Sequence, residues 1–253
     1  MIATMAPIEL AELQEKAGLQ TRVDRKYLVE IDRLDHVLGA LPSTTQVLQI
    51  EARRQFCYRS VYFDTADLLA YRLTALRRRR RFKIRTRSYL DSGQHLLEVK
   101  TRGPRGTTVK QQLSYDGDGE HLLGEDRQEA CRAVAQTGAT PPEATELRPV
   151  LITTYHRVTL FLPTSRSRVT IDTDLCWLLP DGSRQRRLQD HAIVETKCTN
   201  SAAEMDRALW ALQHRPCSIS KFGTGLAALR PELPAHRWRP LLHRHLRTEE
   251  ITS

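Results

Sequence analysis

Apolar and polar side chains alternate with a period of two along several stretches of this chain. TRVDRKYLVE (21–30) sets Val23, Tyr27 and Val29 on one face and Arg22, Asp24 and Lys26 on the other. FKIRTRSY (82–89) sets Lys83, Arg85 and Arg87 against Phe82, Ile84 and Thr86. LLEVKTR sets Glu98 and Lys100 against Leu97 and Val99, and TTVKQQL adds Lys110. Farther on, TTYHRVTL carries Arg157, VTIDTDL carries Asp172 and Asp174, and IVETKCT carries Glu195 and Lys197. This period predicts strands. Neighbouring strands are expected at 80–90, 94–101 and 107–115, separated by the turn sequences DSG and GPRG. Further strands are expected at 147–162, 166–175 and 191–198, with a turn at DGSR (181–184). Helical spacing predicts helices at 8–17, 32–41 and 120–136 and one after Lys221. Asp64 or Thr65 would cap a helix running to Leu76, and Ser201-Ala-Ala-Glu204 reads as a capping box. The balance is α+β and strand-rich. One domain is expected at 1–235, followed by a basic tail at 236–253.

The charged faces change this picture. One strand with a charged face is ordinary, because charged side chains are mostly solvated. Six strands besides FKIRTRSY with the same habit point to a shared purpose. A sheet closed into a barrel can turn a polar face inward around a ligand and pack its apolar face on helices. Arginine and lysine suit phosphate oxygens. Carboxylates on the same faces suit Mg²⁺ or Mn²⁺ shared with phosphates.

Composition agrees. With 40% hydrophobic and 27% charged residues the chain is that of a globular protein, and its net charge of +9 favours polyanionic partners. Aromatic residues are 6%, too few beside the run Arg77 to Arg81 to favour stacked nucleic-acid bases. The five cysteines are scattered, odd in number and without a CxxC, which argues for a reducing compartment and against a zinc cluster. No stretch is apolar over a membrane's thickness, and the N-terminal residues lack the basic start and apolar run of a secretory signal.

DRKYLVE, SVYFDT, FKIRTRSY, LEVKTRG, the YHR of TTYHRVTL, VTIDTDL, IVETKCT and SISKFGTGL occur in this order from about residue 20 to 229. The ordered set resembles the VTC domain, the polyphosphate-polymerase branch of the triphosphate tunnel metalloenzymes, whose relatives include the CYTH-type triphosphatases. The resemblance implies a closed antiparallel β-tunnel of about eight strands with flanking helices. It implies phosphate contacts from Lys26, Arg85, Arg87, Lys100, Lys110, Arg157 and Lys221, and a metal ligand at Glu195. Arg85, Arg87, Lys100, Arg157 and Glu195 would form the catalytic set. Asp172, Asp174 and Glu98 are weaker metal candidates, with salt bridges to neighbouring cations as the competing role.

The implied activity is transfer of the γ-phosphate of ATP to a growing polyphosphate chain, with Mn²⁺ or Mg²⁺. The alternatives are a triphosphatase and a non-catalytic module that binds polyphosphate or RNA. The expected partners are ATP and polyphosphate or triphosphate. The expected location is the cytoplasm, where a membrane protein could hold the domain. Two positions depart from related patterns. Arg22-Val-Asp24-Arg-Lys26 replaces the ExExK of CYTH-type relatives, and Ser218 replaces a lysine found in eukaryotic polymerases.

Overall fold

The structure, a computed structural model, describes residues 1–18, 23–102, 108–199 and 202–246. Arg22, the GPRG turn and Ser201 lie outside the described residues. The chain runs β1 (Ala6–Ile8), α1 (Leu10–Ala17), β2 (Val23–Glu30), α2 (Leu34–Gly39), β3 (Gln46–Leu48), β4 (Gln55–Asp64) and α3 (Leu69–Ala75). The expected trio follows as β5 (Phe82–Tyr89), β6 (Gln94–Arg102) and β7 (Thr108–Leu113), then α4 (Gly124–Ala135). The last third comprises β8 (Arg148–Leu162), β9 (Ser167–Leu178), β10 (Gln185–Arg187), β11 (His191–Cys198), α5 (Glu204–Ala211), α6 (Lys221–Leu229) and α7 (Arg239–His245).

The fold is α+β, a mainly antiparallel sheet with flanking helices. Eight strands form one hydrogen-bonded path, in the order β2-β11-β9-β8-β4-β5-β6-β7. Three further strands of three residues each join it: β3 on β8, β1 on β3 and β10 on β9. The sheet therefore has eleven strands, not about eight. The expected closure is also corrected, because among the described residues no pairing joins β2 to β7. The cause lies in β7, which is six residues long, mostly exposed, and carries Lys110, Gln111 and Gln112. A short polar strand of this kind ends a sheet.

Two compact units share the chain. The first comprises Met1–Cys57, Tyr155–Leu175 and Leu188–Ser218. Its sheet alternates as expected: Tyr27, Val29, Val158, Leu160, Val169, Ile171 and Val194 make one apolar face, which packs with Val37 and Leu38 of α2 and Met205 and Leu209 of α5. Burying each such side chain contributes about 1.5–3 kcal/mol. Asp206, fully buried, fastens α5 to that face. Its carboxylate accepts hydrogen bonds from Tyr27 Oη at 2.7 Å and Thr196 Oγ1 at 2.7 Å, and Arg25 Nη1 lies 3.2 Å away. The same carboxylate accepts from the backbone N–H of Ala203 at 2.9 Å. The helix cap is thus Asp206 acting on Ala203. Glu204, expected to close the box, instead accepts from Ser165 Oγ.

The second unit comprises Tyr58–Thr154, Cys176–Arg187 and Ile219–Ser253. Val61, Phe63, Ile84, Leu97 and Val99 fill its apolar sheet face. Asp64 and Thr65 both serve α3: Asp64 accepts from the backbone N–H groups of Thr65, Ala70 and Tyr71, and Thr65 Oγ1 accepts from that of Leu69. Burial pushes the Asp64 carboxyl up to about 6. The glycines of KFGTG let α6 approach two indoles. A Cβ on Gly223 would stand 2.2 Å from Trp238, and one on Gly225 would stand 2.2 Å from Trp177. Their role is close packing, not a phosphate loop. No described helix is long and apolar enough to cross a membrane.

Candidate anion-binding site

In the second unit the polar sheet face gathers the cations of β5, β6 and β7. Antiparallel register sets Arg85 opposite Glu98, Lys83 opposite Lys100, and Lys100 opposite Lys110. Residues directly opposite share a face, so Lys83, Arg85, Arg87, Lys100 and Lys110 stand on the face of Glu98, and Arg85, Arg87, Lys100 and Lys110 act on its carboxylate. That carboxylate is fully buried. Arg85 donates to Glu98 Oε2 from Nε at 2.8 Å and from Nη2 at 2.6 Å. Lys110 Nζ lies 2.7 Å and Arg87 Nη1 3.8 Å from Oε1. Burial alone would raise the Glu98 pKa, but Arg85, Arg87, Lys100 and Lys110 outweigh it and hold the carboxyl well below the usual range. It is therefore ionised at neutral pH.

The aromatic neighbours support the cations. Arg85 lies over the Tyr62 ring at 5.7 Å and donates to Tyr62 Oη at 3.1 Å. Arg87 lies over Tyr58 at 5.5 Å. Glu98 carries one negative charge against the four cations that act on it. The side chains of Arg85 and Arg87 are only 8% and 11% exposed, so solvent does little to offset the excess. Arg87 Nε is buried without a hydrogen-bond partner. Such a group costs free energy until an acceptor reaches it. Chemically, the face accepts anions, and its planar guanidinium forks suit phosphate oxygens. Lys221 belongs to the same unit and opens α6, just after Ser220, whose Oγ accepts from Lys83 Nζ at 3.1 Å and from the Gly223 N–H at 3.2 Å.

The first unit has a face of different balance. Lys26 stands opposite Glu195, and Lys197 opposite Asp24 and Arg168. Arg157 grips the fully buried Asp172 through Nε at 2.6 Å and Nη2 at 2.8 Å. Lys197 Nζ is 3.7 Å from Glu195 Oε1. Lys26, Arg157, Arg168 and Lys197 thus meet Asp24, Asp172 and Glu195, four cations against three carboxylates. Asp174 has left the alternation: its φ is 54° and its exposed side chain pairs with His156 Nδ1 at 3.1 Å.

For a divalent ion the residues fit in a restricted way. Among the described residues no group of three or more histidine, cysteine or acidic side chains could hold a metal. Glu98 and Asp172 are engaged by arginines. Glu195 offers a partly buried carboxylate, and Mg²⁺ or Mn²⁺ can be held by one or two carboxylates when phosphates complete the shell.

The motifs passed over Lys83, Arg168 and Lys197 as site residues. Lys83 and Lys197 lie on the same two-residue alternation as Arg85 and Glu195, which was signal enough. Glu195 favours the charged form of Lys197, but burial, Arg157 and Arg168 outweigh it and bring the ammonium down to about 8.

With this geometry in place, the comparisons decide the family. The sequence matches the VTC domain over residues 21–230. The chain belongs to the VTC-domain family. No curated protein matches this VTC-domain chain. Among solved structures, HpAC1 from Hippeastrum, described as an adenylyl cyclase candidate with a dominant triphosphatase activity, is similar at a TM-score of 0.50 and 13% identity, over 82% of this chain and 96% of that one. A Bacillus halodurans protein described as an adenylate cyclase candidate is similar at a TM-score of 0.44 and 15% identity, over 76% of this chain and 86% of that one. The likeness to HpAC1 is one of fold.

Two outcomes test the electrostatics of the VTC domain. Glu98 has a depressed folded pKa, so it stabilises the fold above the unfolded carboxylate pKa, and that stability is lost as pH falls. Glu98→Gln should lower the unfolding free energy at pH 7 by about 3 kcal/mol, because it strands buried cations. The gap to wild type should narrow below about pH 4 in denaturant titrations. Lys197 has a depressed folded pKa of about 8, so its burial opposes folding below that pH, and stability should rise as pH climbs from about 8 towards about 10. Lys197→Met should abolish that rise in denaturant titrations.

Proposed function

We propose that this VTC domain is a metal-dependent polyphosphate polymerase, transferring the γ-phosphate of ATP to the end of a polyphosphate chain. The observation that carries this reading is the cation face of the second unit, where Arg85, Arg87, Lys100 and Lys110 act on the buried Glu98 carboxylate and Lys83 stands on the same face. A run of phosphates is an anion dense enough in charge and acceptor oxygens to suit such a face. Family membership supports it independently.

Phosphoryl transfer asks the protein mainly for positioning and charge neutralisation. Arg85, already aligned by Glu98 and Tyr62, and Arg87, with its Nε still open to an acceptor, would orient phosphate oxygens. Lys100, Lys110 and Lys221 would neutralise the chain, and Lys26 and Arg157 would serve as further contacts. Glu195 would hold Mn²⁺ or Mg²⁺, which would supply neutralisation of charge on the transferred phosphoryl group. Asp172 holds Arg157, and Glu98 holds Arg85, so both carboxylates position cations. With phosphate as the acceptor no nucleophilic side chain is needed.

Water as the acceptor would make the same face a triphosphatase, the activity named for HpAC1, which shares the fold. A face used for binding alone would make a polyphosphate sensor. Attachment to a membrane would come through a partner protein and a cytoplasmic setting.

Purified protein incubated with ATP and Mn²⁺ should yield chains resolvable by length on gels. Arg87→Gln, which spares the Arg85–Glu98 pair, should cut that yield about a hundredfold or more. Orthophosphate as the sole product would instead establish the hydrolase. Retained tripolyphosphate binding without turnover would establish the sensor.

A further inference from the structure

Four arginines of the second unit form a cluster that the site above does not use. Arg102 donates its backbone N–H to the Arg81 carbonyl at 3.0 Å, which carries the β5–β6 register one step past Phe82 and Thr101. Arg81 therefore stands opposite Arg102, one row beyond Lys83 and Lys100. Two residues along a strand span about 6.7 Å, so the cations continue as a ladder along the same pair of strands. Arg237, next to the buried Trp238, reaches the cluster from the C-terminal segment, and Arg77 lies near it at φ 54°.

These neighbours repel one another. Burial lowers the pKa of Arg81, and Arg102 and Arg237 lower it further. Burial also lowers that of Arg237, as do Arg77 and Arg102. Arg237 Nε is buried and makes no hydrogen bond. Among the described residues no carboxylate forms an ion pair with any of the four. Like charges placed directly across a strand pair are destabilising. A sequence that tolerates such a conflict commonly does so at a functional site.

We propose that Arg77, Arg81, Arg102 and Arg237 form a second anion site, which holds the part of a linear polyphosphate that extends beyond the reacting phosphates. This rests on the polyphosphate reading of the neighbouring face. The ladder favours a polyphosphate over RNA because it is continuous with the Lys83–Lys100 row, while the aromatic neighbours Trp238 and Tyr71 are buried and cannot stack on bases.

The test compares chain lengths in the full protein. Arg81→Gln/Arg102→Gln/Arg237→Gln should weaken binding of long-chain polyphosphate at least about tenfold and make its salt dependence shallower by about two to three released ions. Affinity for tripolyphosphate should stay as in wild type, and the corresponding triple lysine variant should retain long-chain binding. If the triple variant does not fold, Arg237→Gln carries the same comparison with a smaller loss. Unchanged long-chain affinity, or an equal loss for tripolyphosphate, overturns the proposal. So does tighter binding of wild type to RNA or to anionic vesicles than to long-chain polyphosphate. None of these measurements requires turnover. A protein that makes no polymer yet shows the length-dependent loss would remove the polymerase reading and keep the second site.

Discussion

A single buried carboxylate organises the most charged part of this molecule. Glu98 has no solvent to stabilise its charge, and it remains ionised because four cations surround it. The dependence runs both ways. Arg85 is fixed by two hydrogen bonds to Glu98, and Lys110 by a third close contact. Without that carboxylate the cations would repel one another in a dry environment. With it they are held in place, and the face still carries excess positive charge. The surplus suits the face to anions, while the pairing keeps it ordered.

The two units solve different electrostatic problems with the same device, a strand whose charges all fall on one side. In the first unit cations and carboxylates nearly balance, as the Arg157–Asp172 fork shows. Such a face can orient a ligand and offer Glu195 to a metal without a strong pull of its own. In the second unit the cations dominate. Charge excess and charge balance are thus separable properties here, and they rest on different strands.

Much of this was legible in the sequence because a period of two is a direct geometric statement. The alternation in FKIRTRSY and LEVKTRG fixed which side chains share a face, and the structure keeps that division. Strands of three residues, β1, β3 and β10, carry too few positions for any period, so the strand number was underestimated. Register is not a property of one strand. That Glu98 meets Arg85 and Lys110, and not merely some cation, depends on two pairings whose offsets no single stretch encodes. Asp206 was missed for a related reason. In sequence it is one more polar residue in a short helix, and only the approach of β2 and β11 makes it the acceptor for Tyr27 and Thr196. The box expected at 201–204 gives way to one two residues later, with Ala203 at the N-cap and Asp206 accepting its backbone N–H. The glycines of KFGTG serve packing that no sequence period announces, because two indole rings need the space.

The central claim is that the second unit's cation face is completed by phosphate. A crystal structure determined with tripolyphosphate tests it most directly. The account expects a phosphate oxygen to accept from Arg87 Nε, the buried donor that has no partner now, with other oxygens on Arg85 and Lys100. Tripolyphosphate bound elsewhere, with Arg87 Nε still lacking an acceptor, would contradict it.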